Sequence, residues 1–84
     1  MKKIRFSKHS LEQCDERGTS QDEVIQAVRT GTREPAKHAR ISCKINLSFH
    51  SQWQGKFYAI KQVMPIITEE DNEIIVITVY TYYF

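Results

Sequence analysis

The spacing of apolar positions along the chain changes once, near Gly31. Before that point apolar residues recur every three or four positions, and after it every two. Val24, Ile25, Ala27 and Val28 form one stripe at helical spacing. Ser20-Gln21-Asp22-Glu23 ahead of them has the form of a capping box, with Asp22 and Glu23 where the helix dipole favours negative charge. A helix is predicted from this cap to a stop at Gly31. A first, shorter helix is predicted from a Ser7 cap to Arg17, closed by Gly18, since glycine readily takes the left-handed conformation that ends helices. Its apolar side is Leu11 and Cys14, while His9, Gln13 and Arg17 are spaced i, i+4, i+8 along another side.

Ile41, Cys43, Ile45, Leu47 and Phe49 alternate with Ser42, Lys44, Asn46, Ser48 and His50. Such alternation predicts an antiparallel strand with one face buried and one open. Met1 to Phe6 reads as a short extended lead-in. Thr32 to Arg40, polar and holding Pro35, reads as a connection or an edge strand. Lys56–Thr68 starts as a strand with an interruption expected near Pro65. Glu73 to about Tyr80, with its IIVITVY run, predicts a central strand. Tyr82-Tyr83-Phe84 follows as an exposed aromatic tail. The expected fold class is α+β, an N-terminal helical hairpin packed on one face of a small antiparallel β-sheet.

At 84 residues the chain is expected to form a single domain spanning residues 1–84. The net charge of +2 is unevenly spread, +4 over residues 1–44 and −2 over residues 45–84, so the first half would attract a polyanion weakly. Two cysteines far apart do not make a disulfide scaffold. No signal-peptide pattern and no run of roughly 20 apolar residues is present, and the expectation is a reduced, cytoplasmic protein off the membrane. His9, His38, His50, Cys14 and Cys43 contain no close ligand pair, so no metal is expected; the three glycines are turn residues, so no nucleotide cofactor is expected either.

Two readings stand for the polar residues. His9 as base or acid and Arg17 as a two-pronged phosphate contact would suit metal-free RNA cleavage, with Gln13 between them able to orient either group. Equally, His9 can pack over a strand and Arg17 can cap its own helix end. Arg40, Lys44, Asn46, Ser48 and His50, with Tyr58, Tyr80, Tyr82 and Trp53 as stacking rings, would suit single-stranded RNA. The same residues would make a plain solvated sheet face with aromatics in its core.

His9, Arg17-Gly18, Ser20, Val24 and Gly31, with the terminal Val76-Ile77-Thr78-Val79-Tyr80, carry a resemblance across nearly the whole chain. The chain resembles domain-of-unknown-function family 4258, small bacterial proteins placed near the BrnT-type and RelE/HigB-type toxins of toxin–antitoxin pairs. The resemblance implies a RelE/BrnT-like fold, metal-independent endoribonuclease activity with His9 and Arg17 as catalytic residues, and a cognate antitoxin partner. Three positions depart from the family's pattern: Ser10 stands for alanine, Gln13 for arginine and Thr19 for isoleucine. The alternative is a non-catalytic protein-interaction or RNA-binding module of the same fold, and the aromatic tail would suit a homodimer.

Overall fold

The computed structural model describes residues 1–84. Strand β1 (Lys3–Phe6) comes first, followed by helices α1 (Lys8–Arg17) and α2 (Gln21–Thr30). Strands β2 (Thr32–Ala36), β3 (Arg40–Trp53), β4 (Lys56–Glu69) and β5 (Glu73–Tyr83) complete one five-stranded sheet in the order β1-β5-β4-β3-β2. The fold is α+β, but the sheet is mixed rather than antiparallel. β1 precedes the helices and pairs parallel with β5, because the chain crosses over through α1 and α2 before returning.

Both helix starts follow their caps. The Ser7 hydroxyl accepts from the Ser10 N–H, and Ser20 and Glu23 form the reciprocal capping box. Gly18 takes the left-handed conformation, with φ 67°. Gly31 ends α2 for a different reason, since its φ of −75° is open to any residue. A side chain there would meet the Lys44 carbonyl of β3 at 2.7 Å, so glycine permits α2 to approach the sheet.

The helices cover one sheet face, α1 against β5 and α2 against β3 and β4. Val24, Ala27 and Val28 of α2 pack with Cys43, Val63, Ile67, Ile74, Val76 and Val79 of the sheet. Helix α1 is held differently. Leu11 is exposed, and the residues it buries are Ser10, Gln13 and Cys14. Ten residues of helix are marginal alone in water, and this one docks largely through hydrogen bonds.

Pro65 does not interrupt β4. It faces Val79, and the ladder with β3 keeps its register while lacking the two pairs opposite Met64 and Pro65, where proline has no N–H to donate. β5 is interior rather than central and runs on through Tyr83. Phe84 still bonds Ile60 and Ala59 of β4, so the terminal aromatics are ordered sheet residues and not a tail. No helix is long and apolar enough to cross a membrane.

Candidate functional site

One extra residue in β5 builds the region of interest. Ile67 pairs with Val76 but Ile66 pairs with Thr78, which leaves Ile77 as a bulge. Ahead of it Ile74 and Val76 face the helices; beyond it Val79 does. Strict alternation from Val76 would bury Thr78, Tyr80 and Tyr82. The bulge turns them to the open face instead.

Strand β1 ends beside Val76, and α1 then takes over the exposed edge of β5. Ser7 donates its N–H to Val76 O and its hydroxyl to Ile77 O, both at 3.0 Å. Gln13 Oε1 accepts the Val79 N–H at 2.7 Å and also the Thr78 hydroxyl. Arg17 donates to Val79 O and lies over the Tyr80 ring, 5.5 Å from its centroid. His9 Nε2 stands 3.4 Å from Thr78 Oγ1. Since that hydroxyl already donates to Gln13, a bond between them needs a proton on His9 Nε2. The stripe His9, Gln13, Arg17 therefore follows three successive residues of β5.

On the open face, Thr78, Tyr80 and Ile66 form the floor of a pocket of about 290 Å³, walled by Ala36, Lys37, His38 and Arg40. The wall is a single 3-10 turn, Lys37–Ala39, in which His38 and Ala39 have φ of 63° and 58°. Successive left-handed residues that are not glycine are costly, and they fold this turn over the sheet. No carboxylate lines the pocket. The chain's four ion pairs use Lys2, Arg5, Arg33 and Lys61, leaving Lys37, Arg40 and Lys44 without an acidic partner. A larger hollow of about 430 Å³ lies by the β2 edge and shares Ala36 and Arg40. Its other cation, Arg33, is bound to Glu69 at 2.6 Å, so the smaller pocket holds the free charge.

The structure thus brings Arg40 and Tyr80 into one pocket, with Arg17 stacked on Tyr80 and His9 beside Thr78. Lys44 and Asn46 lie farther along β3, where Asn46 accepts from Gln62 at 2.9 Å across the face. Gln13 is 8% exposed and consumed by β5, so it is a docking residue rather than an RNA contact. His50 sits at the one bulge of β3 with φ 43°, about 33 Å of strand from Arg40, against Phe57. Tyr58 packs with Tyr83 in a separate aromatic cluster, 5.5 Å between centroids. Lys37, His38 and Thr78 are site residues that the spacing of apolar positions did not reveal. The basic run Lys37-His38-Ala39-Arg40 is the trace of the first two in the sequence, and Thr78 has none.

Beneath that second cluster lies Lys61, 3% exposed. It donates to Gly18 O and to Glu23 Oε1, the latter at 2.8 Å, and stands over the rings of Phe49 and Tyr83. Burial pushes the Glu23 carboxyl up, but hydrogen bonds and charge from Lys61, with bonds from Ser20, outweigh it and hold it below the ordinary range. Tyr83 stacks on Trp53 and donates its hydroxyl to Arg17 O at 2.6 Å. Burial raises the thiols of Cys14 and Cys43, which makes them poor nucleophiles. No group of three or more His, Cys, Asp or Glu side chains comes together as a metal site.

No family model matches this chain, and neither a curated protein nor a solved structure matches it.

Proposed function

We propose that this is a cytoplasmic, toxin-type RNA-binding protein of RelE/BrnT-like character that engages single-stranded RNA on its open sheet face. The observation that supports this most is the pocket floored by Tyr80 and Thr78, where Lys37 and Arg40 converge with no carboxylate among its walls, while Arg17 stacks on the same Tyr80 ring. Cations without acidic partners attract a phosphate backbone, and exposed rings accept unpaired bases. In this reading His9 would take the ribose 2′-hydroxyl proton and the outer face of Arg17 would stabilise the crowded phosphate. In metal-independent cleavage the 2′-oxygen would attack phosphorus and the bond to the 5′-oxygen of the next nucleotide would break, that oxygen taking a proton from water or from the protonated His9, leaving a 2′,3′-cyclic phosphate and a 5′-hydroxyl. The partner of such a protein would be an antitoxin that covers the same cationic face.

A second reading is favoured by one observation. Arg17 already donates to the Val79 carbonyl, and Gln13 is fully engaged with β5, so both contribute to holding α1 in place. A protein built this way can bind RNA without cutting it.

The test is fluorescence anisotropy of a labelled, unstructured RNA at several salt concentrations, with chelator present throughout. Lys37→Ala and Arg40→Ala should each weaken binding and flatten the logarithmic salt slope by about 0.7. Cleavage that disappears in His9→Ala supports the enzyme; tight binding with intact RNA supports the module. Binding indifferent to both Lys37 and Arg40 overturns the site.

A further inference from the structure

Tyr80 and Tyr82 are adjacent on the same side of β5 beyond the Ile77 bulge, and both are exposed, 39% and 43%. Their rings are nearly parallel, at 16°, with centroids 6.5 Å apart. Two rings in direct stacking contact lie closer, as Trp53 and Tyr83 do at 5.2 Å and 15°. A stacked base takes about 3.4 Å on each side, so a base held between two rings needs them roughly 6.8 Å apart. The observed centroid spacing is close to the two-residue repeat of a strand, roughly 6.6 Å, and is the upper limit of the gap between the ring planes, which side-chain rotation would open to admit a base.

We propose that Tyr80 and Tyr82 form a slot that takes one unpaired nucleobase between them, with the adjoining phosphate directed toward Arg40 and Lys37. This rests on the RNA-binding reading above and names the unit it recognises. The floor of the slot is held from both sides. Arg17 lies over the Tyr80 ring and is itself anchored on Val79 O. Gln62 and Met64 of β4 pair opposite Tyr82 and Tyr80, which fixes the strand beneath. Every base has a π-face, so such a slot accepts any unpaired base and excludes a base held inside a duplex. Tyr82 is the decisive residue: it makes no side-chain hydrogen bond and touches only Tyr80 among the chain's rings, so its conformation is free to serve a ligand.

The experiment compares a short unstructured RNA with the same backbone made abasic, against wild type, Tyr82→Phe and Tyr82→Thr. Threonine keeps the strand and removes the ring; phenylalanine keeps the ring. Expected is a roughly 10-fold weaker affinity of Tyr82→Thr for the normal RNA, near wild-type affinity for Tyr82→Phe, and no difference among the three on the abasic RNA. Equal binding of normal and abasic RNA, or a Tyr82→Thr variant that binds normal RNA like wild type, overturns the slot while leaving the cationic site intact. Failure of wild type to bind any RNA overturns both the slot and the reading beneath it.

Discussion

Gln13 Oε1 accepts the backbone N–H of Val79 at 2.7 Å, so a side chain on α1 completes the hydrogen bonding of a strand that has lost its neighbour. With the Thr78 hydroxyl on the same oxygen, this contact fixes the helix against the bulged half of β5. A position suggestive of ligand binding is here a joint between helix and sheet.

Gln13→Leu should therefore cost about 1–3 kcal/mol, because the buried Val79 N–H is left without a partner and the Thr78 hydroxyl loses its acceptor on α1. Gln13→Arg should destabilise as well, since a guanidinium cannot accept a hydrogen bond. Urea unfolding of the two variants checks this. A Gln13→Arg variant as stable as wild type would contradict the assignment.

Removing Lys61 should be more damaging than removing its partner. Lys61→Met leaves the Gly18 carbonyl and the Glu23 carboxylate without their shared donor, at about 2–4 kcal/mol. Glu23→Gln keeps an oxygen that accepts from Lys61 and from the Ser20 N–H, so it should cost less. Thermal midpoints that reverse this order would count against the buried pair.

Acid should loosen the same corner. The Glu23 carboxyl is depressed in the folded protein, so the unfolded chain binds the extra proton first and stability rises with pH. The contribution is complete above the ordinary value of 4.5 and is lost as pH falls through the depressed folded value. Glu69 and Glu73, depressed first by hydrogen bonds from Arg33 and Arg5 respectively, act in the same direction. Denaturant midpoints measured down the acid limb should fall for wild type and fall less for Glu23→Gln.

Gly18 cannot be replaced without two penalties. Its φ of 67° disfavours any side chain, and an added Cβ would overlap the ring of Trp53. Gly18→Ala should lose about 1–3 kcal/mol and change the near-ultraviolet circular dichroism of Trp53 and Tyr83, which stack at 5.2 Å. An unchanged aromatic spectrum would mean that the ring does not rest there.

The cysteines offer a probe of native packing. Cys43 is wholly buried and Cys14 is 4% exposed, both with thiols raised mainly by burial. Neither should react with a thiol reagent under native conditions, and both should react on unfolding. Fast native labelling of Cys43 would show that α2 opens from the sheet.

Local chemistry by itself determined the two helices, their caps, the apolar stripe of α2 and the alternation of β3. Each of these depends on residues within a turn or a few strand positions of one another, so neighbours in sequence suffice to specify them. Tertiary structure alone decided the rest. The bulge at Ile77 reverses which residues of β5 meet water, yet nothing in the IIVITVY run marks it, because it follows from fitting β5 to β4. Lys61 has no local sign of burial; its partner Glu23 is 38 residues away. Gln13 looked like a ligand contact until Val79, 66 residues on, needed an acceptor. Whether a polar side chain faces water or a buried backbone group depends on which strand ends beside it, and that is settled only when the whole sheet closes.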